Sequence, residues 1–336
     1  MIDLRSDTLT KPTPAMLEAM MRAEVGDDVW NEDPTVQALE AKLAATLGQS
    51  HGVFCPSGTM ANQIAIAVHA GPGDEVICSA DAHVYNYEGG GIAANAGASV
   101  KLLAGARGMF TAAAVEAAIH GDDPHYPTSA LVCVEDTANR GGGAIWSTSE
   151  LDAIADLCTA RGLPLHLDGA RVFNRLVAAG DDPAAYGRRF DSISVCLSKG
   201  LGAPVGSVLL GDEAFCAKAR RVRKRFGGGM RQAGYLAAAG VFALDHHVER
   251  LADDHLRAAS LAEALRGNDA VAEVLPVETN IVIFRPKAKV PQVLAALKAD
   301  GVLAAPMGDG VRFVTHLDFD DADLESTVAA IQRLTS

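Results

Sequence analysis

The sequence predicts an α/β fold: a large domain built on a mostly parallel sheet, followed by a smaller α+β domain. Three observations lead there. Between residues 52 and 210, short β-branched runs alternate with amphipathic stretches, the pattern of a parallel sheet covered by helices. After about 212 the strand signal fades, then returns near 279. The length of 336 residues suits one large or two modest domains, and about three quarters of the unfolded surface is buried at this size.

The elements follow in order. Thr13 precedes Pro14 and Asp33 precedes Pro34, each pair an N-cap with proline at the first helical position. The second helix carries Val36, Leu39, Leu43 and Leu47 on one face and stops at Gly48. Strands are expected at 52–55, 75–78, 99–103, 131–134, 164–167, 192–196 and 205–210, with helices near 59–70, 111–120 and 149–161. Helices then cover 212–225, 230–244 and 247–266. The last unit has strands at 279–284 and 311–314 and helices at 291–299 and 321–333. The expected division is 1–246, an N-terminal segment plus the large domain, and 247–336, the small C-terminal domain.

Composition narrows the function. The chain is 49% hydrophobic and 21% charged, which excludes a disordered or collagen-like chain. A net charge of −13 argues against a nucleic-acid binder, because the phosphate backbone would repel it. The longest near-apolar stretch, 235–244, is too short to span a bilayer, and the first residues lack a secretory signal pattern. The six cysteines include no Cys-x-x-Cys pair. They read as small buried hydrophobes in a reducing cytoplasm, where the protein is expected to reside. The pairs Asp181-Asp182, Asp253-Asp254 and Asp320-Asp321 read as helix N-terminal acids or solvated faces, and no metal site is expected.

Ligands of such sheets bind beyond the carboxyl ends of the strands, so motifs just after strands carry the most weight. Ser57-Gly58-Thr59 stands between a strand and a helix, where free N–H groups and the helix dipole suit a phosphate. Asp168, in Asp168-Gly169-Ala170-Arg171, closes an apolar strand. A carboxylate there must meet a cation: either Arg171 itself or a cationic ligand, which would leave Arg171 for an anion. His166 and Asp168 lack a third residue at metal-ligand spacing. Lys199 opens the stretch Lys199-Gly200-Leu201-Gly202 after a buried strand, a setting that desolvates an amine into a nucleophile. Gly-x-Gly-x-x-x-Gly after the lysine is neither a dinucleotide fingerprint nor a Walker A loop. A phosphate loop, a strand-end aspartate and a strand-end lysine are together what pyridoxal phosphate needs. The lysine condenses with the aldehyde, the aspartate keeps the ring nitrogen protonated and the helix end holds the phosphate.

With these motifs the chain resembles the low-specificity L-threonine aldolases, fold type I pyridoxal-phosphate enzymes. The likeness also rests on Asp3-Leu4-Arg5-Ser6-Asp7-Thr8, Val25-Gly26-Asp27-Asp28-Val29, Gly227-Gly228-Gly229-Met230-Arg231-Gln232 and Val311-Arg312-Phe313-Val314-Thr315-His316. It implies retro-aldol cleavage of L-threonine, L-allo-threonine and related β-hydroxy-α-amino acids to glycine and an aldehyde. Lys199 then carries pyridoxal 5'-phosphate, Asp168 pairs with the pyridinium nitrogen, and Ser57, Gly58 and Thr59 hold the phosphate. Lys224 and Arg231 reach the phosphate from a neighbouring subunit, in a homodimer or a homotetramer with shared sites. Ser6, Arg171 and Arg312 bind the substrate carboxylate. His83 stacks on the ring and His125 lies near the substrate hydroxyl, and either is the base that takes the hydroxyl proton. Trp30 and Ala138 stand where many members have tyrosine and histidine, which bears on the aldehyde preferred. Two other readings compete: a β-eliminating lyase or aminotransferase on the same fold, and a cofactor-binding protein without catalysis. Glycine release from a β-hydroxy amino acid separates the first from these.

Overall fold

The computed structural model describes residues 1–335. Its strands are β1 (Ile2–Asp3), β2 (His51–Cys55), β3 (Asp74–Ser79), β4 (Ser99–Leu103), β5 (Thr128–Glu135), β6 (Leu165–Gly169), β7 (Ser192–Cys196), β8 (Ser207–Gly211), β9 (Val271–Val274), β10 (Ile281–Pro286), β11 (Val302–Leu303), β12 (Ala305–Met307) and β13 (Gly310–Val314). The main sheet has the order β2-β8-β7-β6-β5-β3-β4. β8 runs antiparallel to both its neighbours, β2 and β7, and the other pairs are parallel. β6 and β7 are buried along their whole length, as strands covered on both faces must be.

The expected strands of this sheet all form. The expected helix at 59–70 is Gly58–His69, and those at 149–161 and 212–225 are Thr148–Arg161 and Glu213–Arg225. Thr13, Asp33, Ser57 and Ser147 cap their helices, each accepting a backbone N–H. Asp182 and Asp320 do the same. Helix Val172–Ala179 was not foreseen. No helix among the described residues is long and apolar enough to cross a membrane, and all six cysteines are free and buried.

A second core lies around an antiparallel sheet ordered β12-β13-β10-β9, with helices Leu251–Arg266, Val290–Ala299 and Asp321–Gln332. The N-terminus belongs to it. β1 pairs in parallel with β11, and Leu4 is fully buried in this core. The start of the chain therefore straps the small unit, and the residues just after Leu4 are carried to the junction with the main sheet.

Candidate active site

A cavity of about 360 Å³ opens beyond the carboxyl ends of β5, β6 and β7. Ser6, His83, Glu135, Arg171, Lys199 and Arg312 line it, joining the N-terminal segment, four loops or ends of the main sheet, and β13. Lys199 sits in a tight turn after β7. The Gly202 N–H donates to the Lys199 carbonyl at 2.8 Å, and Gly202 has φ +78°, a conformation that glycine adopts without cost.

Asp168, at the end of β6, is 2% exposed. Its oxygens accept from Asn62 Nδ2 at 3.0 Å and from the Ala170 N–H at 3.1 Å. Arg171 does not supply its counter-charge. That guanidinium makes two hydrogen bonds to Asp7, at 2.6 and 2.7 Å, and both side chains are buried. Of the two readings left open for this motif, a counter-ion from Arg171 is thus excluded. A buried carboxylate beside a cavity, with neutral donors only, fits a ligand that brings a cation.

Arg312 is the cation left over. Nη1 donates to Asn139 Oδ1 at 2.7 Å and Nη2 to the Arg5 carbonyl at 2.9 Å, while Nε is buried without a partner. Burial and the neighbouring Arg171 pull its pKa down. Both effects are relieved by an anion, and a bidentate guanidinium fixes a carboxylate in direction as well as charge. Ser6 stands beside it, its hydroxyl accepting from Thr8 Oγ1 at 2.8 Å, which leaves its own O–H to donate.

His83 has Nδ1 3.0 Å from Glu88 Oε1, and Glu88 is buried. Burial disfavours the imidazolium, but the Glu88 hydrogen bond and the charges of Asp168 and Glu88 outweigh it and raise the His83 pKa. Glu135 accepts the backbone N–H of His83 at 2.8 Å and that of Asn139 at 2.9 Å. Burial and the Asp168 charge push its carboxyl up to about 7. Glu88, Glu135, Asn62 and Asp7 escaped the sequence reading, since no local spacing marks them.

The remaining candidates lie outside the cavity lining. Ser57, Gly58 and Thr59 form the cap and first turn of Gly58–His69, and Ser57 Oγ accepts the Met60 N–H at 3.2 Å. Gly58 abuts the end of β7: a Cβ there would stand 2.5 Å from Cys196 Sγ and 3.5 Å from Ser207 Oγ, a buried hydroxyl without a partner. The free N–H groups of this turn and that hydroxyl suit a phosphate. Lys224 is exposed, and Arg231 is paired with Asp27 at the surface. His125 is 86% exposed and bonded to Asp123. Trp30 is exposed, and Ala138 is buried against Gly108 and Gly141. Neither lines the cavity.

Residues 3–289 match the family model of the beta-eliminating lyases. The chain is 40% identical to a probable low-specificity L-threonine aldolase of Arabidopsis thaliana, over 99% of this chain and 97% of that protein. It is 43% identical to the low-specificity L-threonine aldolase of Escherichia coli strain K12, over 98% of each. The structure of the threonine aldolase of Leishmania major superposes with a TM-score of 0.86 at 23% identity, covering 99% of both chains.

Proposed function

With this chain belonging to the low-specificity L-threonine aldolases, aldehyde-lyases within the beta-eliminating lyase family, we propose that Lys199 holds pyridoxal 5'-phosphate and that Asp168, His83 and Arg312 direct it. The reaction is retro-aldol cleavage of L-threonine, L-allo-threonine and related β-hydroxy amino acids to glycine and an aldehyde. The observation that carries the assignment of residues is the pairing of a cavity-facing amine, Lys199, with a buried carboxylate, Asp168, that accepts hydrogen bonds from neutral donors and not from Arg171.

When bound, the cofactor supplies a cationic ring that takes up the electron pair left on Cα as the Cα–Cβ bond breaks. Asp168 keeps a proton on the ring nitrogen. Ser57, Gly58 and Thr59 bind the phosphate at the helix end. Arg312 and Ser6 would bind the substrate carboxylate and so fix the direction of the Cα–Cβ bond. Arg171, neutralised by Asp7, offers only its outer N–H edge to the ligands. His83 covers the ring and, poised by Glu88, accepts the β-hydroxyl proton. Lys224, Arg231 and His125 serve the site of a neighbouring copy, which makes the working unit a homodimer or a dimer of dimers in the cytoplasm.

The test is borohydride reduction of the protein loaded with pyridoxal phosphate, followed by peptide mass spectrometry and an assay for glycine from L-threonine. The expected adduct is on Lys199, and Lys199→Ala yields neither adduct nor glycine. An adduct on another lysine, or full turnover by the alanine variant, refutes the assignment.

A further inference from the structure

Behind Asp168 runs a chain of buried polar groups that the reaction itself does not use. Asn62, on the second turn of Gly58–His69, sends one amide N–H to Asp168 Oδ2 at 3.0 Å and the other to Glu88 Oε1 at 2.8 Å. Its carbonyl Oδ1 meets His166 Nε2 at 3.1 Å and accepts from the Ser194 hydroxyl. His166 Nδ1 lies 2.9 Å from Ser192 Oγ, and His69 Nε2 lies 3.0 Å from the same hydroxyl. Asn62 is 2% exposed, and His166, Ser192 and Ser194 are 0% exposed.

Only one proton arrangement satisfies all of these groups. An amide carbonyl only accepts, so His166 Nε2 must carry a hydrogen and its Nδ1 must accept from Ser192. Ser192 in turn accepts from His69 Nε2. Every bond then donates in one direction, from His69 at the C-terminal end of Gly58–His69 toward the two carboxylates. A flipped Asn62 would set its oxygen against both carboxylates, leaving buried acceptors unpaired, which is costly. Burial holds both imidazoles neutral, at about 4 for His69 and about 3 for His166. His166 has His69, Ser192 and Asp168 around it. Asp168 is faced by Asn62, His83, Glu88 and Glu135.

We infer that His166 is a positioning residue for the cofactor: with Ser192 and Ser194 it locks the Asn62 amide, and that amide keeps Asp168 ionised and aimed at the ring nitrogen. Aligned donors stabilise the carboxylate charge. A carboxylate robbed of them is a stronger base and draws the proton off the ring. The inference rests on the cofactor reading above.

The experiment reconstitutes full-length wild type, His166→Phe, His166→Gln and Ser192→Ala with pyridoxal phosphate. It measures the cofactor dissociation constant and the pH midpoint of the bound cofactor's visible absorbance, with thermal unfolding as a check on folding. His166→Phe is expected to weaken binding about tenfold and to raise the midpoint by about one pH unit. Ser192→Ala gives smaller shifts in the same direction. His166→Gln, which keeps a donor toward Asn62, stays near wild type. Folded His166→Phe and Ser192→Ala proteins with wild-type affinity and midpoint overturn the inference. If His166→Phe does not fold, an unshifted Ser192→Ala overturns it alone. A wild type that develops no absorbance band removes the cofactor reading, and this inference with it.

Discussion

Asp7 is a single residue on which charge, burial and the shape of the site converge. Burial alone would push its carboxyl up. The Arg171 charge and hydrogen bonds, the Lys199 charge and Asn280 outweigh burial and bring it down to about 2. A carboxylate whose pKa is depressed by folding stabilises the native state above its unfolded value, and that stability is lost as pH falls through the folded value. Asp7→Asn, which strands Arg171 as a buried unpaired cation, is expected to cost about 3 kcal/mol in urea unfolding at neutral pH. The gap from wild type should persist down to about pH 4 and close toward pH 2. A constant gap across that range would show that the charge of Asp7 is not what matters. Residues of this kind are also where sequence reading stops. Lys199 and Asp168 are legible because each sits at or just after a strand, and His83 and Arg312 through the family resemblance. Asp7 is legible only through Arg171, which it meets across 164 positions. Asn62 and Glu88 read as ordinary helix and loop residues until the fold sets them beside Asp168.

At the scale of elements, helix Gly58–His69 does two jobs: its first turn abuts the end of β7, and Asn62 holds Asp168. Its position depends on the missing side chain of Gly58. Gly58→Ala places a methyl 2.5 Å from Cys196 Sγ, so either the helix or the end of β7 must yield. Overpacking of this sort costs about 1–3 kcal/mol. The expected result is a weaker affinity for pyridoxal phosphate, partly restored by adding Cys196→Ala; affinity equal to wild type in the single variant would contradict it. The bounds expected for the strands at 99–103 and 192–196 agree with the structure, the second because a strand buried along its whole length leaves a largely apolar run in the sequence. Helix Val172–Ala179 left a weaker mark. It is two turns long, and Arg171 at its N-cap makes no capping bond. β1 and β11 are two residues each, too short for any periodicity, and their pairing is invisible until the fold brings them together.

For the molecule as a whole, the cavity of one chain is lined without His125, expected near the substrate hydroxyl, and without the two basic residues expected from a neighbouring subunit. Lys224, Arg231 and His125 all lie outside the lining, at the surface. If they complete the cavity of a neighbouring copy, two inactive variants can repair each other. Lys199→Ala and Arg231→Ala, unfolded together and refolded as a mixture, are expected to regain glycine-forming activity that neither shows alone. No gain over the separately refolded proteins would place those basic residues outside the shared site.

The strap formed by the N-terminus has a consequence for how the enzyme is made. Ile2 leaves the ribosome 300 residues before its partner Val302. The floor that bears Asp168 and Lys199 is translated well before the wall that bears Arg312. Until Val302 follows, the nascent polypeptide holds an incomplete pocket with β1 unpaired. Newly made copies become competent only when the later unit clasps the segment around β1.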